Sequence, residues 1–165
     1  MGLIEAAKSL LGIGERARDQ SHLVYDSLEA WAAGNGLPKD WTKHPNQAQR
    51  DVWWQQFAEL KEHLWQKHVS TLSPEEQQQF KDGTHPSLRH EYAERALPFC
   101  KLLEAELERK GLMSVVKIGY YHMDRLVLSV YLSDFPPAGL PGSPWFFRGF
   151  EVKAIRASEP LDNYR

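Results

Sequence analysis

The chain has 165 residues, a formal net charge of −2 and a single cysteine, Cys100; at that length about 70 % of the unfolded surface is buried on folding, so neither a disulfide nor a metal is needed. Acidic and basic residues stay close to balance both before and after Gly111, which leaves no basic face for a phosphate backbone and argues against a nucleic-acid partner. No run approaches the roughly 18 apolar residues of a membrane span, Glu5 and Lys8 interrupt the stretch a signal peptide keeps apolar, and the lone cysteine fits a reducing, cytoplasmic setting.

In chain order, the apolar spacing predicts five helices over residues 1–112. The first covers Leu3 to Leu11 and stops at Gly12-Ile13-Gly14. The second runs from Glu15 to Ala33, with Leu23, Leu28 and Trp31 on its apolar side and Gly34-Asn35-Gly36 as its stop. The third, Pro45 to His68, carries Trp53, Phe57, Leu60 and Leu64 at i, i+4, i+7 and i+11, one continuous stripe. Ser73-Pro74-Glu75-Glu76 reads as a capping box that opens a fourth helix ending at Gly83. The fifth spans Pro86 to Gly111 on a stripe from Leu88 to Leu107, with Pro98 expected to kink it.

After Gly111 the period changes to two. Residues 114–121 and 125–132 alternate as strands around a hairpin tip at His122-Met123-Asp124, and Phe146 to Ala157 reads as a third strand. The expectation is a single α+β domain over 1–165: a helical part (1–112), a three-stranded antiparallel sheet (113–157) packed against it, and a polar tail (158–165). The connection Ser133 to Pro144 holds four prolines, which stiffen it and lower the entropy lost when it binds.

Motifs that commit a chain to one chemistry are missing. His90-Glu91-Tyr92-Ala93-Glu94 begins like a helical zinc-protease motif, but Glu94 stands where the second histidine is required. Glu59 and His63, at i and i+4, read as an ordinary helix-surface pair. No metal site and no cofactor site is expected.

Two functions compete. The first is a non-catalytic protein-binding domain that holds a partner protein through the outer sheet face (Lys117, Tyr121, Arg125, Tyr131) and the proline-rich loop, with Phe135 in that loop and Trp145 just after it. Six tryptophans, several adjacent to other aromatics, supply the large, low-entropy contacts that interfaces favour. An inhibitor or immunity protein that neutralises a toxin is one such domain; a second copy of the chain is the other candidate partner. The alternative is a small-molecule enzyme or ligand binder with a pocket between helices and sheet, on which His90, Glu94, Cys100 and His122 would converge.

Overall fold

The computed structural model describes residues 19–122, 124–134 and 144–165, with the backbone alone at 120–122. The helix expected over Leu3–Leu11 and most of the proline-rich loop, Phe135 included, lie outside the described residues. Within them the class is α+β, with four α-helices, α1 (Leu28–Gly34), α2 (Gln47–Val69), α3 (Pro74–Asp82) and α4 (Ala93–Arg109), and one four-stranded sheet.

The helices start where side chains can replace missing backbone partners. Ser27 accepts from the Ala30 N–H at 3.1 Å and opens α1. That cap breaks the helix expected from Glu15 to Ala33. The described residues before the cap instead hold a 3₁₀ turn, Ser21–Val24, followed by an extended Tyr25. Asn46 accepts from the Gln49 N–H at 3.1 Å to open α2. At α3 the hydroxyl of Ser73 accepts from the Glu76 N–H and donates to its carboxylate, and Gly83 closes the helix in the left-handed region.

The fifth expected helix starts later than its stripe suggests. Residues 83–89 form an inner loop with His85 and Ser87 fully buried, and the Leu126 N–H donates to the Ser87 carbonyl at 2.6 Å. A backbone carbonyl given to the sheet is not available to a helix ladder. A short 3₁₀ turn, His90–Tyr92, then leads into α4.

The sheet departs most from expectation. Its strands, β1 (Ser114–His122), β2 (Arg125–Leu132), β3 (Trp145–Phe147) and β4 (Phe150–Arg156), lie in the order β1-β2-β4-β3. The sheet is mixed: β1 with β2 and β3 with β4 are antiparallel, but β2 and β4 are parallel. The expected third strand is cut in two by Arg148-Gly149, whose φ values of 47° and 90° make a two-residue hairpin turn with both centres left-handed. That unexpected reversal changes the direction in which the last strand meets β2. A register shift between Ile118 and Tyr121 pairs Tyr121 with Leu126 and His122 with Arg125.

Among the described residues, elements pack on both faces of the sheet, where cover on one face was expected. On one face Ala96, Cys100, Leu103 and Leu107 of α4 meet Leu126, Leu128, Val130 and Phe150, all nearly inaccessible. The Val116 N–H donates to Glu104 at 2.9 Å and ties β1 to that helix. On the other face α2 lies over the hairpin end. Trp65 carries the Arg125 guanidinium 4.2 Å above its ring and meets Phe146 at 5.3 Å, while Lys61 pairs with Glu151 at 2.9 Å. The segment expected as a polar tail folds back as well: Leu161–Tyr164 is a 3₁₀ turn, and the Tyr164 ring stacks on Tyr131 at 4.4 Å.

A second core joins α1 to the first half of α2. Trp31, 1 % exposed, is its floor, and Trp41 touches Trp31, Trp53, Trp54 and Phe57 with centroids 4.9–6.3 Å apart. The tryptophans thus divide: most pack here or against the sheet, and Trp54 stays 47 % exposed.

Candidate functional site

The residues expected to hold a partner differ in their surroundings: Arg125 is buried, Tyr131 and Trp145 are half-buried, and Lys117 is exposed. Arg125 is 7 % exposed beneath Trp65, with Glu62 at 3.6 Å from its guanidinium. Tyr131 is covered by Tyr164, and Trp145 packs half-buried against the α4 core. The neighbouring face positions Val127 and Ser129 are buried too. Lys117 is exposed. Tyr121 is placed by its backbone alone, and Phe135 lies outside the described residues. The face was expected to be open because it alternates in polarity; α2 packs over its hairpin end and Tyr164 over Tyr131, while Lys117 stays exposed.

The four residues of the alternative reading do not meet around a described cavity. His90 and Glu94 are exposed at the start of α4. Cys100 is 4 % exposed inside the core, and burial pushes its thiol up to about 11, away from the thiolate a nucleophile requires. His122 is described by its backbone only. Among the described residues no group of three or more His, Cys, Asp and Glu is placed to hold a metal, and no helix is long and apolar enough to cross a membrane.

Among the described residues, a concave surface lies elsewhere, on the seam between Ser21–Val24 and α2. Two adjoining cavities, of about 160 and 380 Å³, share Glu59 as a common wall. The smaller is lined by Asp19, His22, Val52, Gln55, Gln56 and Glu59. The larger adds Gln20, Leu23, Glu62, His63 and Gln66. The helical wall follows from 3.6 residues per turn: positions 52, 55, 59, 62 and 66 fall on one side of α2, opposite Leu60 and Leu64. From Val52 to Gln66 that wall runs about 21 Å at 1.5 Å per residue.

Three carboxylates, Asp19, Glu59 and Glu62, stand among the glutamines and histidines that line the groove. The Gln55 carboxamide donates to Glu59 at 3.1 Å, and that of Gln66 donates to Glu62 at 2.9 Å, which fixes both acidic side chains along the wall. Asp19 accepts from the Ser21 N–H at 3.0 Å, and the Ser21 side chain, with this backbone bond second, holds its carboxyl below the usual range. His22 is 3 % exposed and sets its Nε2 2.8 Å from Glu59. Its Nδ1 is buried without a hydrogen bond to the described residues. The polar positions of α2 are visible in sequence, where Glu59 and His63 read as a surface pair. What makes them one wall of a groove is the buried His22 opposite, which no periodicity marks.

Comparison with protein-family models, with curated proteins and with solved structures found no match for the chain.

Proposed function

We propose that the protein is a non-catalytic protein-binding domain, and that the groove along α2 takes a basic segment of its partner. The observation that carries this reading is the pair of adjoining cavities with Asp19, Glu59 and Glu62 along their walls. An extended segment of about six residues, at about 3.3 Å each, matches the length of the helical wall. Lysine and arginine side chains of such a segment would find carboxylates already oriented by Gln55 and Gln66, which lowers the cost of ordering the contact. The narrower identity, an inhibitor or immunity protein, is the form of this proposal in which the basic segment belongs to an enzyme or toxin.

The test uses hexa-arginine as a probe, followed by amide chemical shifts on the full chain. Binding should move the amides of residues 55–66, weaken as salt rises, and fail with hexa-glutamate. Glu59→Gln with Glu62→Gln should weaken it by about tenfold or more, in line with the loss of charge-assisted contacts. Shifts scattered over the surface, or equal binding of the double variant, would sink the proposal.

A further inference from the structure

The tip of the β3–β4 hairpin rests on two histidines that act as hydrogen-bond acceptors. The Gly149 N–H donates to Nε2 of His68, in the last turn of α2, at 3.1 Å. The same ring stacks on Phe146 of β3, with centroids 5.1 Å apart. Beneath the turn, His85 is 0 % exposed and stacks on Phe80 at 4.1 Å and 16°. Its Nδ1 accepts from the Ser87 N–H at 3.1 Å and lies 2.7 Å from the Ser87 hydroxyl. The contact is close: a Cβ on Gly149 would come within 2.7 Å of the Phe80 ring and 3.0 Å of His85 Cε1.

An imidazole nitrogen that accepts an N–H must keep its lone pair, since protonation turns it into a donor facing a donor. Both rings therefore fill these roles only when neutral. Burial keeps them so, pushing His68 below its ordinary value and His85 down to about 4, with only the Arg148 carbonyl working the other way on His85. The charged groups on the surrounding elements leave this unchanged. Lys61 and Glu151 neutralise each other, Arg125 faces Glu62, and Arg89 pairs with Glu91. Arg148 lies over Phe147, and Glu76 and Lys81 belong to α3. No carboxylate is among the groups that shift either ring.

We infer that the hairpin tip is a proton-released clasp: acid charges His68 and His85, breaks their bonds to the Gly149 and Ser87 N–H groups, and frees β3 and its turn before the α4 core opens. β3 is three residues long and, among the described residues, pairs with β4 alone, so the tip supplies much of its hold. Its release uncovers Trp145 and Phe147, which pack against the α4 core, and Phe146, which sits between Trp65 and His68.

The test is amide hydrogen exchange on the full chain between pH 7 and 4.5, corrected for intrinsic rates, with the histidine C2 protons titrated in the same samples. Protection at Gly149 and β3 should fall by about tenfold for each pH unit below about 6.5, the ordinary histidine value that the freed rings regain. Protection at Leu103 and Leu107 of α4 should hold over that range. His68→Gln offers a carboxamide oxygen that accepts at any pH, so it should carry Gly149 protection to lower pH. Loss of hairpin and α4 protection together, hairpin protection unchanged at pH 4.5, or the same transition in His68→Gln would each overturn the inference. If His68→Gln does not fold, the wild-type comparison decides alone.

Discussion

Gly149 and Gly36 both have positive φ, 90° and 63°, yet their surroundings differ completely. A Cβ at Gly36 meets nothing within 4 Å, while one at Gly149 runs into Phe80 and His85. Gly36→Ala should cost about 1 kcal/mol of stability from backbone strain alone. Gly149→Ala should cost about 2–4 kcal/mol, because overpacking against two stacked rings adds to the strain. Urea midpoints of the two variants measure the difference. Cys100 makes a second point at this scale. With its thiol raised to about 11 and its side chain in the core, a thiol-specific reagent at pH 8 should leave the folded protein unmodified and react fully once it is unfolded in urea. Rapid labelling of the folded chain would show the α4 core to be open.

Among the elements, what was legible in sequence was whatever depended on local chemistry. Asn46, Ser73 and Gly83 bound α2 and α3 within a residue or two of where the pattern put them, because caps act over three or four positions. What was not legible depended on distant partners. Ser87 gives its carbonyl to Leu126, and nothing near Ser87 announces this. Arg148 is the harder case: it takes φ 47° without being glycine, so only Gly149 hinted at the turn that splits the expected last strand. The Lys61–Glu151 pair shows how such joints are held. Both side chains are largely enclosed, at 11 % and 15 % exposure. Lys61→Met strands a carboxylate and should destabilise by about 2–3 kcal/mol, whereas Lys61→Met with Glu151→Leu should recover most of the loss. A double variant no better than the single one would show that the pair contributes more than mutual compensation.

Over the whole molecule, acid should destabilise through the histidines as well as through the carboxylates. The folded values of His68 and His85 lie below the ordinary 6.5, so the unfolded chain binds protons more readily. Their contribution is complete above about pH 6.5 and is lost as pH falls toward 4. Thermal or urea unfolding should therefore show a loss of about 2–4 kcal/mol between pH 7 and 4, smaller in His85→Gln if that variant folds. At this scale the α+β class was legible, since helical and alternating periods occupy separate parts of the chain. The candidate site was not. Its polar helix wall was in plain view, but a groove is a relation between two segments, and the Ser21–Val24 turn that forms the opposite wall comes from a stretch expected as helix.

The parallel pairing of β2 with β4 also bears on how the chain is made. β4 lies inside the sheet, between β2 and β3, and sends Phe150 and Val152 into the α4 core. A strand synthesised after the other three of this sheet therefore takes an interior place. While Phe150 is still within the ribosome, β1, β2 and α4 can come together, but β2 has an open edge and the core lacks one of its largest side chains. Nascent chains arrested before residue 150 should be digested by protease like unfolded ones. Resistance should arrive abruptly once the segment through Arg156 has emerged.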